Sequence, residues 1–305
     1  MIMTMEKEII RLLEERGPLT GGEILKATDE DMLLLWRSCM LSRALAVRTV
    51  GRRYLRLDRR VEDFARLSPS ILREFLTYSV IGLVSDHRSL TQRADEISSH
   101  IEQVTRTKSG LAYEIISAAM DQFEGIGLVR EQAAVMIAGD IVYNMAHDVP
   151  RPERSTGRLV KGSDMDIVIV VDDQFPKRLI PRLDDAVYKE KQRILMIPHL
   201  REEIDYVVKD MARVREQIRF DTFRHMVACK ILEEGALLYG SEDLFSRIKQ
   251  MLREEGITQK LNNLENRAKR FRGAALKHLL REDPQKVREE YQYLFYPTEE
   301  SEEFE

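Results

Sequence analysis

Apolar residues recur at helical spacing at Ile9, Ile10, Leu12 and Leu13, and Gly17-Pro18 closes that pattern. Thr20-Gly-Gly-Glu23 opens a second, short helix through Ala27. Thr28 or Asp29 caps a third, with Glu30 and Asp31 in its first turn, where they favour the helix dipole, and with Met32, Leu35, Trp36 and Cys39 on its apolar face. The period then falls to two. Residues 47–50 and 53–57 predict a short hairpin turning near Gly51. Residues 61–125 predict helix throughout. One helix starts at Ser68-Pro69, with Ser as cap and Pro at the first position, and carries Ile71, Leu72, Phe75 and Leu76. Another covers residues 90–123 and breaks near Ser109-Gly110.

Residues 126–240 change character. Ala133-Ala-Val-Met-Ile-Ala138 is apolar and stops at Gly139-Asp140. Ile167-Val-Ile-Val-Val171 is a continuous β-branched run, as expected of a strand covered on both faces. Ile204-Asp-Tyr-Val-Val208 predicts another strand and Leu237-Leu-Tyr239 a short edge strand. A helix over residues 210–234 lies between those two, with Phe220, Phe223, Val227 and Ile231 on one face. Only helices follow: one capped by Ser241 and ending at Gly256, one over residues 258–280, and one starting at Asp283-Pro284 and reaching Phe295. Glu299, Glu300, Glu302, Glu303 and Glu305 make an acidic tail that predicts disorder.

The chain has 305 residues, which predicts two domains, or three if one is small. A net charge of −4 excludes a globally basic nucleic-acid coat and leaves a local basic patch open. Cys39 and Cys229 lie far apart, so neither a disulfide framework nor a four-thiolate metal site is expected, and a reducing cytoplasm is the simplest compartment. No apolar run approaches a membrane span, and the charged N-terminus does not read as a signal peptide.

Arg48, Arg52, Arg53, Arg56, Arg59 and Arg60 crowd the predicted hairpin against one acid, Asp58. Arginines so placed touch nucleic-acid phosphates or keep a hairpin edge solvated. Three helices followed by a β-hairpin resemble a winged-helix domain. That resemblance implies contact with nucleic acid through Arg48, Arg52, Arg53 and Arg56, or dimerisation of two copies.

The chemistry concentrates in Lys161-Gly-Ser-Asp-Met-Asp-Ile167. Asp164 and Asp166, two apart at the mouth of a strand, project to the same face. Carboxylates held so close repel unless a cation neutralises them, and their hard oxygens suit Mg2+. Asp205, in Ile204-Asp-Tyr-Val-Val208, supplies a third. An unpaired aspartate in a buried strand is costly, so it needs a partner. His147, His199 and His225 lack metal-ligand spacing, and Cys229 reads as core. Arg267, Lys269, Arg270, Arg272 and Lys277 read as a solvated helix face, or as a grip on a polyanionic acceptor.

The Gly-Ser-Asp-Met-Asp-Ile run, the later Ile-Asp-Tyr strand and Leu-Glu-Glu-Gly-Ala-Leu-Leu-Tyr-Gly-Ser at 232–241 resemble the DNA polymerase β-like nucleotidyltransferase superfamily, over residues 126–240. That resemblance implies an α+β fold: a mixed sheet flanked by helices, with an N-terminal winged helix and C-terminal helices. It implies two Mg2+ ions on Asp164, Asp166 and Asp205, and transfer of a nucleoside monophosphate from a nucleoside triphosphate to a hydroxyl. The alternative is a nucleic-acid-binding regulator whose nucleotidyltransferase-like domain senses a nucleotide or is inactive. The sequence departs from the family at the turn after the first strand. Gly139-Asp140 stands where a Gly-Ser or Gly-Gly pair binds triphosphate at a helix N-terminus. Asp140 would cap a helix over residues 141–146 and compete with phosphate for its amides. A mobile basic loop with Arg151, Arg154, Arg158 and Lys161, or the Gly162-Ser163 pair, would then supply the phosphate contacts. The expected division is 1–60 winged helix, 61–125 helical linker, 126–240 nucleotidyltransferase-like core, 241–297 C-terminal helices and 298–305 acidic tail.

Overall fold

The computed structural model describes residues 2–153 and 156–295; Arg154 and the acidic tail lie outside the described residues. The chain forms two compact units, each combining helices with small sheets. The first is Met1–His100 together with the stretch from Leu264 onward, and the second is Ile101–Asn263. This division differs from the sequence-based one on both sides of the core.

The first unit begins α1 (Ile2–Arg16), β1 (Leu19–Thr20), α2 (Gly21–Thr28), α3 (Met32–Leu41), β2 (Leu45–Thr49). Thr20 and Glu23 form a reciprocal cap: Thr20 Oγ1 accepts from Glu23 N at 3.2 Å, and Glu23 Oε2 accepts from Thr20 N at 2.7 Å. The cap of α3 is Asp31, accepting from Leu34 N, rather than Thr28 or Asp29; Asp29 closes α2 in the left-handed conformation. The predicted hairpin over 47–57 does not form. Next come β3 (Tyr54–Leu57), β4 (Ala65–Ser68), α4 (Ile71–Tyr78) and β5 (Ser79–Leu83). β2 pairs with β5, in an antiparallel sheet of order β1-β5-β2, while β3 pairs with β4 in a separate ribbon. Residues 61–125 are therefore not helical throughout. Val80 and Ile81 are fully buried, and β5, as the central strand, needs partners on both edges. Ser70, not Ser68, caps α4, accepting from Arg73 N.

The helix α5 (His87–Asp121) runs unbroken past Gly110. A Cβ at Gly110 would meet nothing within 4 Å. One exposed mid-helix glycine costs about 1 kcal/mol, too little to break a long helix.

The second unit continues with α6 (Ile126–Gln132), β6 (Ala133–Ala138), β7 (Pro150–Pro152), β8 (Leu159–Lys161), β9 (Met165–Val171), α7 (Ile180–Met196) and β10 (Ile204–Asp210). Then come α8 (Met211–Gln217), α9 (Phe223–Glu234), β11 (Ala236–Gly240) and α10 (Glu242–Glu254). The sheet order is β10-β9-β6-β11; β10 and β9 are parallel, and the other two pairings antiparallel. Its central strands β6 and β9 are covered on both faces: α5, α6 and α7 share one core, through Ile116, Val129 and Val187, with Val135, Ile137, Ile167 and Ile169, while α9 and α10 contact β6 and α8 contacts β9. The predicted helix over 210–234 is two helices. Asp210 caps the first and Thr222 the second, with Phe220 in the left-handed conformation between them.

The chain then makes α11 (Ile257–Arg281), α12 (Pro284–Glu290) and α13 (Gln292–Phe295). From Leu264 onward these belong to the first unit. Ala275, Leu279, Val287 and Phe295 join Met5, Leu13 and Trp36 in its core. Buried Arg37 donates to the carbonyls of Leu279, Leu280 and Glu282, satisfying the C-terminal end of α11. Among the described residues no helix is long and apolar enough to cross a membrane.

Candidate functional site

The parallel pairing of β9 with β10 puts Asp166 opposite Asp205 in register. Register partners on adjacent strands share a face, so the two carboxylates stand side by side. On its other side Asp166 is opposite Ala138, the last residue of β6. Gly139 follows with φ +69, and a Cβ there would lie 2.0 Å from Asp166 Oδ2. Only glycine permits that approach.

Asp164 precedes β9, and its carboxylate lies 3.5 Å from Arg151 Nη2. Arg151 is the hub of this corner. It reaches Glu203 at 2.8 Å through Nη2, and its Nε donates to Gly162 O at 2.7 Å. Lys191, on α7, donates to Asp205 Oδ1 at 3.1 Å. Glu203 is buried, and burial pushes its carboxyl up to about 7. Arg151 opposes that shift, whereas Asp164 and Asp205 add to it. A row of acids thus runs along the ends of β9 and β10, with Arg151 and Lys191 as counter-charges. Among the described residues no three His, Cys, Asp or Glu side chains converge on one point as a metal-holding group. Asp164 and Asp205 each face a cation instead, as like charges require when nothing else neutralises them.

The phosphate-binding expectations need correction. Residues 141–146 form no helix; Gly139–Ile141 is a single 3-10 turn, so Asp140 caps no helix. Its carboxylate accepts from Ser163 Oγ at 2.6 Å. The Gly139 N–H donates to Glu234 Oε1 at 3.1 Å. Glu234, with a side chain only 6% exposed, also accepts from Tyr143 Oη and Lys230 Nζ, so an internal carboxylate sits on the amide a phosphate would use. The Gly162-Ser163 pair is no open cradle either. Gly162 N donates to Val160 O and Ser163 N to His147 O, and a Cβ on Gly162 would lie 1.8 Å from His147 O. The basic loop is the β7–β8 ribbon, with Lys161 Nζ donating to His199 O and Arg158 beside the Met196 sulfur.

In the first unit two of the predicted arginines are engaged within the protein. Arg48 donates to Thr91 Oγ1, and Arg53 grips Glu74 through two hydrogen bonds of 2.5 and 2.8 Å. Arg52 is exposed and Arg56 half-buried on β3. Arg272, read as part of a solvated helix face, is 6% exposed. Both cysteines are buried, and burial pushes each thiol up to about 12, which removes them as nucleophiles.

Glu203, Lys191 and Glu234 were not legible as site residues. Glu203 does carry a signal, since it stands two positions before Asp205 as Asp164 stands before Asp166. No family model matches the chain, and no curated protein sequence matches it.

Proposed function

We propose that the second unit is a magnesium-dependent nucleotidyltransferase. The observation that carries the reading is the register pairing of Asp166 with Asp205 on adjacent parallel strands, with Asp164 just before the first. The donor set suits the ion, because carboxylate oxygens are the ligands Mg2+ prefers. Asp164, Asp166 and Asp205 would hold two ions, with Arg151 and Lys191 giving way as counter-charges. When bound, Mg2+ offsets negative charge on the entering and leaving oxygens. Asp205 would accept the proton of the acceptor hydroxyl as its oxygen bonds to the α-phosphorus and the bond to the departing pyrophosphate breaks. Arg158 and Lys161 would contact the triphosphate from the β7–β8 ribbon. The mixed sheet β10-β9-β6-β11 is compatible with a nucleotidyltransferase-like domain.

The order of three helices and a β1-β5-β2 antiparallel sheet supports a winged-helix reading of the first unit. Residues 50–78 would then be an enlarged wing, which would reach nucleic acid through Arg52 and Arg56 or support a homodimer. Glu234 on the Gly139 amide favours a second reading, a cytoplasmic nucleic-acid-binding regulator whose second unit senses a nucleotide without transferring it.

The deciding experiment incubates the protein with Mg2+ and each labelled nucleoside triphosphate, offering nucleic acid, cell extract and the protein itself as acceptors. Label transfer that is lost in Asp166→Asn supports the transferase. Nucleotide binding without transfer, combined with nucleic-acid binding, supports the regulator.

A further inference from the structure

The two counter-charges of the acid row are tied down in different ways. Arg151 is fixed at three points. Its Nε donates to Gly162 O at 2.7 Å, while Nη2 lies 2.8 Å from buried Glu203 and 3.5 Å from Asp164. Released from Asp164, it would keep both the carbonyl and Glu203. Lys191 has a single tie among the described residues, from Nζ to Asp205 Oδ1 at 3.1 Å.

Its own helix offers Lys191 no substitute. On α7 a side chain meets those three and four positions away. For Lys191 these are Val187, Tyr188, Ile194 and Leu195, and none is acidic. Arg193, on the same helix, has Glu190 at 2.7 Å. Lys191 therefore takes its counter-charge from β10, the strand that α7 packs against.

The tie is also weak enough to exchange. The Lys191 side chain is 23% exposed and that of Asp205 29%, so water screens the pair. A flexible four-carbon stem lets the ammonium swing while the helix holds its base. If Asp205 gave its oxygen to a divalent ion, Lys191 would lose its partner and face a second cation at close range. The nearest negative charge left to it would be the anion bound with that ion.

Given the magnesium-dependent transfer proposed above, we infer that Lys191 is a nucleotide-binding residue that changes partner, neutralising Asp205 when no ion is bound and holding the triphosphate when one is. One lysine thus couples the two ligands. It opposes entry of the ion and favours entry of the nucleotide, so triphosphate binds well only together with Mg2+. Arg151, tied to a backbone carbonyl, holds the corner in shape throughout.

Two equilibrium measurements on the full chain test the exchange: calorimetric titration with Mg2+ alone, and dialysis against each ribonucleoside triphosphate with and without Mg2+. Lys191→Met removes the charge and keeps a straight side chain that suits a helix. It should bind Mg2+ about two- to fivefold more tightly, because the competing ammonium is gone. In Mg2+ it should bind triphosphate at least about threefold more weakly, because a charge-assisted contact is lost. Opposite signs in the two assays are the signature of the exchange. A purely structural tie between α7 and β10 predicts instead a lower unfolding midpoint with both affinities unchanged. An unchanged affinity for either ligand overturns the exchange and leaves the transferase standing. A wild type that binds no Mg2+ sinks the transferase, and the exchange with it.

Discussion

Asp166 stands between two close neighbours, the Asp205 carboxylate on one strand and the Cα of Gly139 beyond the other. Asp166→Asn removes the charge and keeps the shape, so it should lower nucleotidyl transfer by at least about 100-fold, with an unfolding midpoint within a degree or two of wild type. Asp205→Asn should impair transfer as strongly while changing nucleotide affinity less, measured by equilibrium binding beside the transfer assay. Gly139→Ala asks a Cβ to stand 2.0 Å from Asp166 Oδ2 at positive φ. It should cost about 1–3 kcal/mol in denaturant unfolding and disturb the site as well. The neighbouring placement of Asp166 and Asp205 was legible, since charge in an apolar strand stands out, whereas no convergence of Asp164 with them on one point is found among the described residues. The counter-charges were not legible. Arg151 and Lys191 reach the acids only through the β7–β8 ribbon and α7, and nothing local marks either as a partner.

At the scale of elements, β6, β9 and β11 were readable because a short apolar or β-branched run stopped by a glycine or an aspartate admits little else. The β2–β5 pairing was not, because a period-two run announces a strand without naming its partner. Val47 to Val50 looked like half of a local hairpin, yet β2 finds its partner some thirty residues later. The break between α8 and α9 was missed for a related reason: Phe220 belongs to the apolar pattern and also takes the left-handed turn. Caps repay attention here. Thr20→Ala removes one arm of a reciprocal cap and should destabilise the first unit by about 1 kcal/mol in chemical denaturation, while Glu23→Gln should cost less because an amide oxygen still accepts from Thr20 N.

For the molecule as a whole, buried Lys209 and half-buried Lys249 shape the dependence of stability on pH. Burial lowers Lys209 to about 8, where its ammonium donates to Gln217 Oε1, and it lowers Lys249 to about 8. In the unfolded chain both titrate near the ordinary lysine value of about 10.4. Between pH 8 and 10 the unfolded state therefore binds more protons than the folded one. Each lysine's contribution to stability rises with pH across that window, at up to about 1 kcal/mol per pH unit, and its penalty is fully present below it. Urea midpoints measured from pH 7 to 10 should show this rise, and Lys209→Met should flatten it. The two-part composition of the first unit was the least legible feature, because the helices over 241–297 read alike whichever core they serve. That composition sets an order of events during synthesis. A nascent chain that has reached Asn263 already holds all of the second unit, whereas the first still lacks Leu279, Val287 and Phe295, whose ring packs 5.2 Å from that of Trp36. Trp36 thus lacks the ring that packs on it until residues some 260 positions further along have been made, and the core of the first unit closes only after the second unit's sequence is complete.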